Sequence, residues 1–449
     1  MNIIIVGAGE IGRHLASVLS KESHNISLIE KNADLAAELE QGLDAKIIQG
    51  NASSVTDLVE ADVGECELFL ALTSSNTANL IAASMAKAMG VEKVISRVHP
   101  GLQREEWMFD FRGHFGIDHV FSSERLAAID LAKYVRNPNS LVVEELARGR
   151  IELQQVRIGA NSKACGITLR KLNAPAGIRL ATVSRGGELF VPDADTILVA
   201  DDVITIFGEP RKLRDFADKL QGKYAKRDRF KVVIFGGNEY GFAVAQMLES
   251  VDCEVRIFEK DANRCSQLAD RLTNTTVINA DATVVAELEE EQVGAVDFFI
   301  ATSADDEDNV MSCLQAHTLG VKNCLTLIHR ADYAAAISAN GKSLGIRAAV
   351  SPRESTRAEI RRFITTDKFH VVKHFDGADI IEMRVGKGSI AAGHMVHEIK
   401  WPHGAVVVGL LRGIHATVPG RDDVLMAGDH IYAVVADEAR KAFVKLLTS

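Results

Sequence analysis

No stretch of this 449-residue chain approaches the roughly 20 consecutive apolar residues that cross a bilayer. A spanning helix is therefore not expected. Cysteine is sparse, at positions 66, 165, 253, 265, 313 and 324, and no two form a CxxC pair. That spacing argues against a zinc or redox motif and fits thiols in a reducing compartment. Positive charge is in deficit: 51 Lys and Arg face 61 Asp and Glu, for a formal net charge of -10. With no basic patch interleaved with aromatics, sequence-independent nucleic-acid binding is excluded. No Walker A sequence occurs, which removes the commonest nucleoside-triphosphatase reading. The first residues, Asn2 to Val6, already read as a strand, with no basic leader before them. A cytoplasmic protein is expected, one that reaches the inner face of a membrane only through a partner.

What is present is ordinary globular composition, 47% hydrophobic and 25% charged, at a length that suits about two to four domains. The chain also repeats itself. Segment 2–12, NIIIVGAGEIG, returns at 231–241 as KVVIFGGNEYG. An offset of 229 positions carries Gly7 to Gly236, Gly12 to Gly241, Glu30 to Glu259 and Thr73 to Thr302. Past one inserted residue an offset of 230 carries Asn79 to Asn309 and Gly90 to Gly320. A second pair of segments repeats at an offset of 227, taking Gly159, Pro175, Arg185 and Asp202 to Gly386, Pro402, Arg412 and Asp429. The order is large, small, large, small.

In the large segments, short apolar runs alternate with amphipathic stretches. IIIV, NISLIE, AKIIQG, LFLALT, KVISRV and HVFS fill the first; VVIF, EVRIFE, TTVINA, FFIAT, CLTLI and AAVS follow in the same order in the second. Strand-helix alternation with continuously apolar strands predicts an α/β fold: two Rossmann-like, doubly wound parallel-sheet lobes. The small segments are β-rich and punctuated by Gly and Pro, each closed by a helical tail. They predict two small α+β lobes. The boundaries expected are 1–122 and 229–350 for the large lobes and 141–224 and 368–449 for the small ones. Linking helices are expected at 123–140 and 351–367.

The candidate site lies at the first turn. Gly7-Ala8-Gly9-Glu10-Ile11-Gly12 follows a strand and opens a helix. Gly7 permits the tight turn, Gly9 lets a pyrophosphate approach the backbone, and Gly12 lets helix and sheet pack closely. Free amides at the helix start then face the phosphates. Glu30 ends the second strand, where an acid accepts from both ribose hydroxyls and repels a 2′-phosphate, favouring NAD(H) over NADP. Asn51, Thr73 and Ser74 end the third and fourth strands, on the ligand-binding side of such sheets. Arg97 sits within an otherwise apolar strand and needs a partner: a phosphate, or a salt bridge within the fold.

The second lobe departs from this pattern. It reads Gly236-Gly237-Asn238-Glu239-Tyr240-Gly241, so Asn238 stands where the middle glycine belongs, and Leu327 replaces Arg97. Glu259 and Thr302 are retained, and Asp281 is a further candidate. This second site reads as weakened, altered or specialised for a smaller nucleotide. The acidic run Asp305-Asp306-Glu307-Asp308 reads as a solvated loop rather than a cation site. His394 and His397 form an HxxH near His403, but no acid or cysteine completes a ligand set, so no metal is expected.

On these features the chain resembles the TrkA family of potassium-uptake regulators, in which each half pairs a KTN/RCK nucleotide-binding lobe with a small RCK C-terminal lobe. The resemblance is carried by GAGEIG with Glu30, by SRV at 96–98 and by TSADDEDN in the second copy. EIKWPHGAVVVGLLRG (398–413) and LMAGDHIYAVV (425–435) carry it in the small lobe. It implies a regulatory subunit that assembles as a homotetramer beneath a Trk-type membrane potassium transporter. It also implies gating by NAD or NADH, with ATP or ADP as alternative ligands. No catalytic residue is expected, because nothing supplies a substrate site and proton donor beside a nicotinamide. The competing readings are an NAD-dependent oxidoreductase and a regulator of potassium efflux.

Overall fold

The computed structural model describes residues 1–448 except 105–107, 138–139, 141, 148–149, 223–228, 250, 252, 362, 365–368, 376 and 413–414. The expected boundaries at 224 and 367 fall outside the described residues, as do 138–139 of the first linking segment. The chain divides into two compact units that group like with like. One holds Met1–Val135 with Arg227–Ile364, the other Arg136–Lys226 with Thr365–Ser449. The repeated halves are thus consecutive in sequence, while their large lobes associate with each other and their small lobes with each other.

Each large lobe is a six-stranded parallel sheet. In the first the spatial order is Lys46–Gln49, Asn25–Glu30, Asn2–Val6, Leu68–Ala71, Lys93–Arg97, His119–Phe121. In the second it is Thr275–Asn279, Cys253–Glu259, Phe230–Phe235, Phe298–Ala301, Asn323–Leu327, Ile346–Val350. The strand order reverses at the central strand, which places a ligand-binding crevice outside its carboxyl end. Apolar residues run continuously because both faces are covered: Ile3 and Ile5 enter one core, Ile4 and Val6 the other.

What covers one face of each sheet comes from the other half of the chain. The first linking helix, Ser123–Arg136, packs Ala127, Leu131 and Val135 into the second lobe's core with Val232, Ile234, Phe242 and Leu248. The second, Pro352–Arg361, seats Ile360 among Ile3, Ile5, Leu15 and Leu19 of the first lobe. The helices are also tied to each other, Ser355 Oγ donating to Asp130 Oδ2 at 2.5 Å. His14 Nε2 lies 2.9 Å from Glu354 Oε1, and Arg361 donates to Glu22 at 2.8 Å, fixing the second linking helix along the first lobe's opening helix, Glu10–Lys21. The bond to His14 holds the Glu354 carboxyl below its ordinary range despite partial burial.

The small lobes are five-stranded antiparallel sheets of matching order. The first runs Glu188–Phe190, Ile178–Arg185, Val203–Gly208, Ile151–Arg157, Val142–Leu146. The second runs His415–Thr417, Ala405–Arg412, His430–Ala436, Ala378–Arg384, Phe369–Phe375. Their helical tails are Pro210–Gln221 and Arg440–Thr448. The arginine and aspartate that recur at an offset of 227 form the same bidentate pair in each: Arg185 with Asp202, and Arg412 with Asp429, at 2.7–2.8 Å.

Candidate functional site

Gly7 has φ +92°, a conformation that favours glycine, and its amide donates to Ile29 O at 2.9 Å, so the chain turns sharply off its strand. A Cβ on Gly12 would stand 1.9 Å from Gly7 O, so helix and turn meet there backbone to backbone. Gly9 is different. It is the N-cap of Glu10–Lys21 in an extended conformation, it supplies no side-chain cap, and a Cβ built on it meets no heavy atom within 4 Å. The amides of Ile11 and Gly12 therefore receive no acceptor from the capping residue, and the space over Gly9 suits an anion of phosphate size.

Glu30 is buried, and its two oxygens accept from Ala8 N at 2.7 Å and Asn32 N at 2.9 Å. The carboxylate clamps the glycine turn to the end of the second strand, and each oxygen keeps a further lone pair for a ligand hydroxyl. Asn51 turns inward on its own loop, Oδ1 accepting from Ser53 N at 3.0 Å. Thr73 donates from Oγ1 to Asn79 Oδ1 at 2.6 Å; Ser74 receives His99 Nε2 at 3.2 Å on its carbonyl. Arg97 takes the second of its two expected partners. Its Nη2 donates to Glu124 Oε1 at 2.9 Å, and Ser122 Oγ donates to the other oxygen at 2.8 Å. Burial alone raises the Glu124 carboxyl, but the Arg97 charge and these hydrogen bonds outweigh it and hold it below the ordinary range.

The second lobe closes its turn with its own side chains. Asn238 Oδ1 accepts from Tyr240 N at 3.0 Å and Gly241 N at 3.1 Å, while its Nδ2 donates to Thr302 O at 2.6 Å. Those are the helix-start amides that an anion would need. Arg264 clasps the same turn, donating to Gly237 O at 2.7 Å and to Glu239 at 2.9 Å. Glu259 clamps Gly237 N and Asp261 N at 2.8 and 2.9 Å, as Glu30 does in the first lobe. Asp281 accepts from Thr283 N at 3.0 Å, matching Asn51. Asp305 and Asp306 are occupied as well: Asp305 caps the helix Asp306–Thr318, and Asp306 accepts from His329 N and Arg330 N.

Two sequence readings need adjustment. The inserted residue lies between Leu272 and Thr276, before the third strand, because Lys46 pairs with Ser27 where Thr276 pairs with Arg256. Thr302 consequently replaces Leu72, and Ser303, not Thr302, is the counterpart of Thr73: each donates its amide to the following asparagine, Asn79 or Asn309. Thr302 Oγ1 donates to Phe235 O and Gly236 O at 2.9 and 3.1 Å, tightening the second turn further. Sequence reasoning also passed over the role of Asn79 and Asn309. Each is buried and bridges two strand ends, Asn79 donating to Thr73 O and Arg97 O, Asn309 to Ser303 O and Leu327 O. Their recurrence in the repeat was the available signal.

Residues 3–123 and 232–352 match the TrkA-N domain family, and 153–221 and 380–448 the TrkA-C domain family. The Trk system potassium uptake protein TrkA of Haemophilus influenzae is 30% identical, over 98% of this chain and 96% of its own length. That of Halomonas elongata is 29% identical, over 98% and 97%. Among solved structures, a GsuK channel bound to NAD superposes with a TM-score of 0.61 at 17% identity, covering 99% of this chain and 78% of that one. The GsuK RCK domain gives 0.60 at 17% identity, over 99% and 94%. The tandem of two TrkA-N and two TrkA-C domains, matched over nearly its whole length, places the chain in the TrkA family of Trk potassium-uptake proteins.

Proposed function

We propose that this protein is a cytoplasmic nucleotide-sensing regulatory subunit that gates a Trk-type membrane potassium transporter, working as a homo-oligomer, most simply a tetramer. The observation that carries the reading is the contrast between the two turns. Gly9 leaves the helix-start amides of the first lobe available to a diphosphate, whereas Asn238 satisfies those of the second. NAD or NADH is the ligand of the first lobe, with ADP or ATP as competitors for the same amides. The relatives' names support the potassium-uptake role, and a GsuK channel bound to NAD supports the ligand class.

Gating follows from differential affinity. The first lobe's turn opens a helix that is packed on the second linking helix, so a ligand that prefers one arrangement of these elements shifts the population toward it. A coupling of about 2–3 kcal/mol, typical of allosteric proteins, changes that population roughly thirtyfold to a hundred-and-fiftyfold. Among the described residues nothing is identified beside the first turn as a substrate-positioning group, and incubation with NADH and a carbonyl panel tests the oxidoreductase reading, which sustained cofactor turnover would favour.

Calorimetric titration with NADH tests the ligand. Wild type should bind, and Gly9→Ala should fold normally yet bind at least about tenfold more weakly, because the added methyl stands where the phosphate rests. Unchanged affinity in Gly9→Ala would remove the turn from the site. Co-purification from membranes identifies the transporter, and recovery of an efflux system instead would favour that alternative.

A further inference from the structure

The two linking helices reach across to the opposite lobe and bring opposite charges to corresponding places. Leu126 N donates to Ser122 O, and Ser355 N to Ser351 O, so the helices start in the same way and Glu124 corresponds to Arg353. Glu124 is held by Arg97 and Ser122 of the first lobe. Arg353 faces the first lobe. Its Nη2 lies 3.4 Å from Oε1 of Glu10, which is the fourth residue of GAGEIG.

The surroundings of Arg353 do not use its full donor capacity. Nε is buried and has no hydrogen-bond partner. The Arg353 side chain is 21% exposed, and that of Glu10 56%. A half-solvated ion pair of this kind contributes little to stability, and a guanidinium carries five donors matched to planar or tetrahedral oxyanions. In the second lobe the residue matching Glu10 is Glu239, and it is held by Arg264 and Arg271 of its own lobe. Among the described residues Glu10 has no such pair from its own lobe, where Leu35 stands in place of Arg264. The first turn is therefore acidic beside Gly9 and depends on a cation delivered from the other half of the chain.

We propose that Arg353 is a phosphate-reading residue of the first lobe. It rests on Glu10 in the absence of ligand and transfers to the diphosphate of a bound dinucleotide or nucleoside diphosphate. The inference rests on the function proposed above and names how ligand is sensed. Because Arg353 stands at the start of the second linking helix, its transfer pulls on the element that joins the lobes.

Titrations of the full chain with NADH and with ADP test this, with thermal melting to verify folding. Arg353→Ala should weaken both ligands on the order of tenfold or more. Glu10→Gln, which releases the guanidinium, should tighten both, and the double variant should behave like Arg353→Ala. Removing an acid beside the turn also tightens an anion by itself, so equal tightening by Glu10→Gln with and without Arg353 marks a merely structural pair. Wild-type affinity in a folded Arg353→Ala overturns the proposal. If that variant fails to fold, equal or weaker binding by Glu10→Gln overturns it. Should wild type itself take up neither NADH nor ADP, the nucleotide-sensing function fails, not merely this refinement of it.

Discussion

Arg97 donates to Glu124 at 2.9 Å, and the carboxylate it holds belongs to the helix that crosses to the other large lobe. An arginine inside an apolar strand is thereby explained by a partner within the fold. Arg97→Leu, which copies the second lobe's Leu327, leaves Glu124 buried without its counter-ion. Removing one partner of a buried pair costs about 3–5 kcal/mol. The pH dependence also changes. In wild type the depressed Glu124 pKa stabilises above the ordinary carboxylate range and is lost as pH falls through the folded value. In the variant only the Ser122 and backbone hydrogen bonds still oppose burial, so the folded pKa rises above its wild-type value, and the deficit is largest near neutral pH and shrinks on acidification. Denaturant midpoints of both proteins at pH 5 and pH 8 check this; a constant gap between them contradicts it.

Gly9 and Gly12 occupy one motif but do different work. A Cβ on Gly12 meets the Gly7 carbonyl oxygen at 1.9 Å, and one on Gly241 meets Gly236 O at the same distance. Neither backbone oxygen can swing aside. Gly12→Ala and Gly241→Ala should each destabilise by about 3 kcal/mol, the upper range for forced overpacking. Hydrogen exchange should show the loss in Asn2–Val6 and Glu10–Lys21 for the first, and in Phe230–Phe235 and Glu239–Leu248 for the second. Equal protection in variant and wild type would mean that the turn relaxes.

Ile360 is buried in the first lobe's core although it lies more than 200 residues beyond that lobe in sequence. Ile360→Ala should cost about 2–4 kcal/mol by transfer and cavity terms. The destabilisation should appear as faster exchange in Glu10–Lys21 rather than in the second lobe's sheet. If the second sheet loosens first, the helix is packed elsewhere.

The strands and the glycine turn were legible in the sequence because they obey local rules: continuous apolar runs, a turn that needs Gly7, and an acid at the end of the next strand. The exchange of linking helices was not. The spacing of Ala127, Leu131 and Val135 says that a face is buried, but not against which lobe, and two similar lobes offer equivalent surfaces. The register shift was misplaced because Thr302 resembles Thr73 in type, while only the pairing of Lys46 and Thr276 reveals where the extra residue falls. The Arg353–Glu10 contact spans the two halves, and nothing local announces it.

Asn238 shows how one residue can close such a site, and the exchange can be run in reverse. Gly9→Asn in the first lobe should let the new carboxamide accept from the amides of Ile11 and Gly12, as Asn238 does from Tyr240 and Gly241. Gly and Asn differ at an N-cap by only a few tenths of a kcal/mol, so stability should hold or rise slightly. NADH binding should nevertheless disappear, because the acceptor oxygen occupies the place and the donors of the phosphate. The reciprocal Asn238→Gly should free two amides but leave Arg264 on the turn, bonded to Gly237 O and Glu239, so it should create at most weak binding. A Gly9→Asn protein that melts like wild type but no longer binds NADH separates ligand recognition from folding. One that binds as before would place the dinucleotide away from this turn.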